Sequence, residues 1–153
     1  MQSLEEFIRN HFFFAEVDPS HCEAIAKSAA ILSFEPGQPI IQEGAPAVQF
    51  YLITHGKVSL DVHTPSRGDV SIQTLTAGEV VGWSWIIPPY QWLFDARAVE
   101  HSDLIVIDGK ALRERCEQDH QLGYLLLKNV TAMVANRLHG TRIQLLDIYG
   151  VHS

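Results

Sequence analysis

The chain has 153 residues and a formal net charge of −7, from 18 acidic against 11 basic residues. That length suits one domain, burying roughly 68–70% of the surface its unfolded form exposes, and a composition 46% hydrophobic and 19% charged excludes a disordered polar tract. No apolar run approaches a bilayer span, and the acidic balance argues against nucleic acid, whose phosphates demand clustered Lys and Arg.

The N-terminal helical segment covers 3–29. LEEFIRN runs into HFFFAEV, predicting a helix over 4–16, and its acidic start does not fit an export signal. Asp18 is a good N-cap and Pro19 suits the first helical position, so a second helix follows to about residue 29, with Cys22, Ile25, Ala26 and Ala29 at helical spacing. Cys22 and Cys116 stand far apart at no metal or redox spacing, as expected for reduced thiols in a cytoplasmic protein.

From 30 to 108 the texture becomes alternating. ILSFE, PIIQE, VQFYLIT, KVSLDVH, VSIQTL, VVGWSW, LFDARAV and LIVID read as strands, separated by turn signals such as PG (36–37), HG (55–56) and PSRGD (65–69). Short strands at this spacing indicate a barrel or a two-sheet jelly roll. From 109 to 149 the period is helical again. GKALRERCEQD forms a short helix and HQLGYLLLKNVTAMVANRLHGTRIQLLDIYG a long one. Leu127, Val130, Val134, Leu138, Thr141 and Leu145 recur at three and four residues, and Leu122, Leu126 and Met133 offer a second stripe. Two stripes on one helix predict a homodimer, one stripe facing the barrel and the other a second chain. No repeat or linker interrupts the chain, which reads as one domain over 1–153.

Residues 78–98, GEVVGWSWIIPPYQWLFDARA, hold all three tryptophans. Gly82, Trp83, Ser84, Trp85, Tyr90, Trp92 and Arg97 are the candidate ligand-binding residues. Two readings stay open: an aromatic cradle for a flat or cationic ligand, or aromatic side chains filling a site from within. Arg97 either binds an anion or pairs internally with Asp95, two residues away on the same strand face.

FEPGQPIIQEG (34–44), FYLITHGKVSL (50–60), TLTAGEVVG (74–82) and LIVIDGKALRERCEQD (104–119), in this order, resemble the cyclic nucleotide-binding domain of the Crp/Fnr type. The resemblance runs from about Leu4 to Tyr149. It implies an eight-stranded double-stranded β-helix (jelly roll) barrel, mainly β, with N-terminal helices and a long C-terminal helix. It also implies a phosphate-binding cassette within 78–98, where the family's glutamate takes a ribose hydroxyl and its arginine the cyclic phosphate. Here the glutamate position is Trp83, and the arginine position falls near Trp92 or Leu93.

The expected function is therefore a non-catalytic ligand-sensing or regulatory module that does not bind cAMP in the usual mode, with no assigned cofactor and an unidentified small ligand. The alternatives are a ligand-free dimeric scaffold with a protein partner, a transcription-regulator fragment lacking its helix-turn-helix, and a cupin-type enzyme, which would need a metal. Relatives that control transcription add a helix-turn-helix after the long helix. The chain stops at Ser153, so no direct nucleic-acid contact is expected. No catalytic motif is recognisable, Asp61 and Asp69 give no reason to share a site, and the eight histidines show no metal-ligand spacing.

Overall fold

Capping chemistry sets the helix starts. The computed structural model describes residues 3–150, with side chains described as far as Leu138. Ser3 caps α1 (Leu4–Asn10) by accepting from the Glu6 N–H, Asp18 caps α2 (Pro19–Ser28) through Ser20, and Asp108 caps α3 (Gly109–Gln118) through Ala111. Helix α1 is shorter than the predicted 4–16. It ends at His11, whose ring accepts the Phe13 N–H at 3.2 Å, while Phe13 and Phe14 turn into the core.

The strands are β1 (Ala30–Phe34), β2 (Pro39–Ile41), β3 (Gln49–His55), β4 (Lys57–Thr64), β5 (Gly68–Thr76), β6 (Val80–Val81), β7 (Asp95–Ala98) and β8 (Ser102–Asp108), followed by α3 and α4 (His120–Gly150). They form two four-stranded antiparallel sheets, ordered β1-β8-β3-β6 and β2-β7-β4-β5. The expected eight-stranded jelly-roll barrel is not formed. Among the described residues no ladder joins one sheet to the other, so the fold is mixed α/β with two open sheets and four helices. Closure demands a staggered ladder between every pair of neighbours, and β6 offers two residues and β2 three. The predicted VVGWSW strand stops at Val81 because Gly82, at φ +96°, turns the chain away.

Both sheets feed one apolar core, which takes Phe50 and Leu52 from β3 and Leu60, Ala96 and Ala98 from β4 and β7. Alternation decides which side chains enter it. In β7 the alanines point inward, while Asp95 and Arg97 face out. Helix α4 lays Leu122, Leu126, Val130 and Met133 onto the core. Val130 thus belongs to this inner stripe. Leu127 (45% exposed) and Leu138 (68%) face outward, with Val134 half-buried at the margin. Thr141 and Leu145 lie outside the residues whose side chains are described. Among the described residues no helix is long and apolar enough to cross a membrane.

Candidate functional site

The segment 82–94 leaves β6, makes two successive turns, and returns along 44–47. Trp83 O accepts from Ile86 N and Ile87 O from Tyr90 N. The returning leg is sewn down by Gly44 N to Trp92 O (2.8 Å), Trp92 N to Ala45 O (3.0 Å) and Ala47 N to Tyr90 O (2.8 Å). Tyr90 sits at φ +60°, a conformation uncommon for a bulky side chain and tolerated where neighbours over-determine it. Those neighbours include Arg113 of α3, whose guanidinium lies 3.9 Å from the Tyr90 ring centre and donates to Trp85 O at 2.7 Å.

The three indoles take different places. Trp85 is fully buried and stacked on Phe50, with centroids 4.6 Å apart and planes 9° from parallel. Among the described residues its Nε1–H has no acceptor. Trp92 is buried beside Gly82, where a side-chain Cβ would come within 2.5 Å of the ring carbons Cη2 and Cζ3. Glycine at 82 is therefore needed twice over, for its φ and for the approach of Trp92. Trp83 is partly buried and contacts Phe94 at 5.3 Å between ring centres. Ser84 is buried in the turn. Gly82, Trp83, Ser84, Trp85, Tyr90 and Trp92 are thus brought into one region, with the indoles of Trp85 and Trp92 directed into the core.

Arg97 is placed elsewhere, on the outer face of the β2-β7-β4-β5 sheet. Its Nε donates to Asp61 Oδ2 at 2.8 Å, not to Asp95. Strand pairing explains the choice: Arg97 stands opposite Ser59 on β4, which puts Asp61 on the diagonal. Asp61 is buried and also accepts from Ser59 Oγ at 2.6 Å. Asp95 is occupied by the Glu43 N–H at 2.7 Å. Asp61 and Asp69, which sequence spacing gave no reason to join, line one groove of about 340 Å³ with Asp95 and Arg97.

One residue of the region escaped the sequence reading. Arg137 of α4 is 9% exposed. It donates from Nη2 to Val80 O, and its guanidinium lies 5.1 Å from the Trp83 ring centre. Burial lowers its pKa to about 10, opposed by the nearby Glu79 carboxylate, so the group stays cationic at neutral pH. The available signal was its position: Leu122, Leu126, Val130, Met133 and Arg137 follow one another at four, four, three and four residues along the inner stripe.

Among the described residues no group of three or more His, Cys, Asp or Glu is placed to hold a metal ion. Both cysteines are buried free thiols, and burial pushes Cys116 up to about 11, away from nucleophilic chemistry.

Two open four-stranded sheets sharing one core, a turn-rich segment after β6 and flanking helices define the architecture. The family model for the cyclic nucleotide-binding domain matches residues 31–119, and the chain belongs to that family. A cyclic nucleotide-binding protein structure from Geobacter metallireducens GS-15 is similar at 32% identity and TM-score 0.80, over 91% of this chain and 100% of that one. A cyclic nucleotide-binding domain of Methylobacillus flagellatus KT (18% identity, TM-score 0.75, 95% of this chain and 82% of that one) shares the fold. So does the sensor domain of the transcriptional regulator DNR of Pseudomonas aeruginosa (20%, 0.73, 88% and 91%). A curated relative, the acetyltransferase Pat of Mycolicibacterium smegmatis, is 34% identical over 70 residues, 46% of this chain. The match spans about a fifth, 21%, of that protein's length. Family membership makes this chain a regulatory or ligand-sensing module.

Proposed function

We propose that the chain is a Crp/Fnr-type sensor domain, one domain over 1–153 and cytoplasmic, whose 82–94 segment does not take cAMP in the usual mode. The observation that carries this reading is the seating of Trp92 against Gly82, with Trp83 in the place where the family's ribose-binding glutamate belongs. A cyclic diester there meets neither the carboxylate nor the guanidinium, and each charge-assisted bond forgone costs about 1.5–3 kcal/mol. Titrating cAMP and cGMP into the protein by calorimetry tests it. The expected result is no micromolar binding of either, and micromolar binding of one would refute the reading.

The module acts as a homodimer through α4. Tyr124, Leu127, Thr131, Val134 and Leu138 alternate at three and four residues along one side of the helix, the spacing of a two-helix seam. Tyr124, Leu127 and Leu138 are exposed, which supports this face as the contact. Leu138→Glu is expected to convert a dimer to a monomer in light scattering; a wild-type monomer at tens of micromolar would sink the dimer.

A second reading is favoured by the same packing. With Trp85 stacked on Phe50 and Trp92 filling the space at Gly82, the interior serves a ligand-free scaffold whose partner is another protein. Native mass spectrometry separates the two: a copurified small molecule supports the sensor, and bare protein mass supports the scaffold.

A further inference from the structure

The two open sheets end in four edge strands, β1 and β6 in one, β2 and β5 in the other. An edge exposes a row of unpaired N–H and C=O groups, and proteins blunt it with proline, bulges, charge or shortness. Strand β2 has three residues, opens with Pro39 and shifts register against β7. Strand β6 has two residues, and Arg137 takes its Val80 carbonyl. Strand β5 carries Asp69, and its pairing shifts register between Leu60 and Asp61 of β4. None of these devices is found in β1, whose sequence AILSF holds no proline and no charge. Its five residues keep unbroken register with β8, and among the described residues no strand pairs with its other side. The side chains agree. Leu52, Ile105 and Ile31 form one cross-strand row, and Ile53, Leu104 and Leu32 form the row on the opposite face. The inner members are at most 1% exposed, whereas Ile31 is 57% and Leu32 42% exposed. Both rows therefore run out at the edge on an apolar residue. The one hydroxyl of the strand, on Ser33, is bonded to Asp103 of β8 at 2.7 Å.

We propose that β1 pairs antiparallel with β1 of a second copy of this chain, about a two-fold axis at Leu32. That axis sets Leu32 opposite its own copy, Ile31 opposite Ser33 and Ala30 opposite Phe34. All five residues are used, and each row stays on its own face. The added strand completes the ladder and covers Ile31 and Leu32. Charge selects the direction and the partner. Exposed Lys27 stands in the last turn of α2, just before β1, and exposed Glu35 directly follows β1. In the antiparallel pair the basic end of each copy comes alongside the acidic end of the other, whereas a parallel pair sets Glu35 beside Glu35. Five residues a side is less than a standard interface, so the contact is weak, with a dissociation constant on the order of 0.1 mM. It is separate from the α4 contact and does not depend on it; where both form, β1 joins α4 dimers into larger assemblies.

The whole chain carrying Leu138→Glu isolates this contact, because that change disrupts the α4 face and leaves β1 untouched. In sedimentation velocity its average mass should rise from monomer towards dimer between about 5 and 500 µM. Adding Leu32→Lys sets two ammonium groups opposite each other at the axis and should weaken the association at least about tenfold. Leu32 is exposed, so the circular dichroism should not change. Hydrogen exchange gives a second readout: raising the concentration should slow amides within 30–34 and leave those of the other edge strand β5 as they were. The proposal is overturned if the Leu138→Glu chain stays monomeric at about 500 µM or if Leu32→Lys leaves its association unaltered. It is equally overturned if the concentration-dependent protection falls outside β1, which would assign the contact to another surface.

Discussion

Replacing Gly82 with alanine puts a methyl group into space that Trp92 already occupies. Two separable costs follow. The backbone at φ +96° penalises any L side chain by about 1–2 kcal/mol. The new Cβ would lie 2.5 Å from two carbons of the Trp92 ring, and forcing such an overpacked contact costs about 1–3 kcal/mol more. Gly82→Ala alone should therefore lose about 2–5 kcal/mol. Trp92→Leu alone removes a ring that is 6% exposed and should cost about 2–4 kcal/mol, at or below the range for deleting a core aromatic. In the double variant the shorter leucine removes the clash, so only the backbone term and the lost ring remain. The cycle should close with a favourable coupling of about 1–3 kcal/mol. Urea unfolding followed by far-UV circular dichroism, with common m values, reads all four corners. Strict additivity would mean that Trp92 does not occupy this space, and the account of a filled segment would fail with it.

Arg97→Met leaves the Asp61 carboxylate, 5% exposed, with Ser59 as its remaining side-chain donor among the described residues. Removing one member of a buried pair costs about 3–5 kcal/mol; because the Arg97 side chain is 47% exposed, solvent screening reduces the expected loss to about 1–2 kcal/mol. Adding Asp61→Asn should recover part of it, and a silent Arg97→Met in urea melts would contradict the ion pair. His11 is held neutral: Phe13 N–H donates to Nδ1, so Nε2 carries the proton and donates to Gly78 O at 2.9 Å, and burial holds its pKa below the ordinary value. Its contribution is complete above the unfolded pKa of about 6.5 and is lost as pH falls through the lower folded value. His11→Gln should flatten the acid side of the stability curve, and an unchanged slope between about pH 7 and pH 5 would count against this assignment. His101 runs the other way, raised by Glu35 and then Asp103. Its contribution is present below about pH 6.5 and disappears as pH rises through its folded pKa, so His101→Ala should remove a stabilisation seen in mildly acidic urea melts and absent in alkaline ones.

Much of the fold was legible because its signals are local. Asp18-Pro19 announced α2, the dipeptide turns separated the strands, and the return of helical spacing after Asp108 marked α3 and α4. Barrel closure was not legible. It depends on whether terminal strands are long enough to pair across a gap, and nothing in VVGWSW reports that Gly82 ends the strand after Val81. The six candidate residues of the 82–94 region could be proposed together because its glycine and tryptophans are conspicuous. The partner of Arg97 was misjudged because side-chain alternation fixes a face but not the register of the neighbouring strand. Arg137 was missed for a related reason: an arginine continuing an apolar stripe looks like its polar edge, and only the packing of α4 on β6 shows the guanidinium turned inward. Val130, drawn into the outer stripe by its spacing, was separated from Leu127 and Leu138 by the same packing.

The two ends of the 82–94 segment are each held by a guanidinium from a different helix, Arg137 of α4 over Trp83 and Arg113 of α3 over Tyr90. A partly desolvated cation–π contact contributes about 1–2 kcal/mol, and Arg113 adds a hydrogen bond to Trp85 O. A change that turns either aromatic ring must therefore break a contact to a helix, and the helix position must in turn bias the ring. That reciprocity gives a regulatory module its coupling, and contacts of this size bound it at about 1–3 kcal/mol, or roughly 5- to 150-fold in affinity. Arg113→Lys isolates one of the two holds: the charge remains, but the planar stack on Tyr90 and the directed bond to Trp85 O are lost. Amide hydrogen exchange should then accelerate across 86–90, where Tyr90 at φ +60° relies on its neighbours, with little change in the β4–β5 hairpin. Equal acceleration in both places would mean that Arg113 supports the fold as a whole, and the segment would lose its claim to be individually tethered.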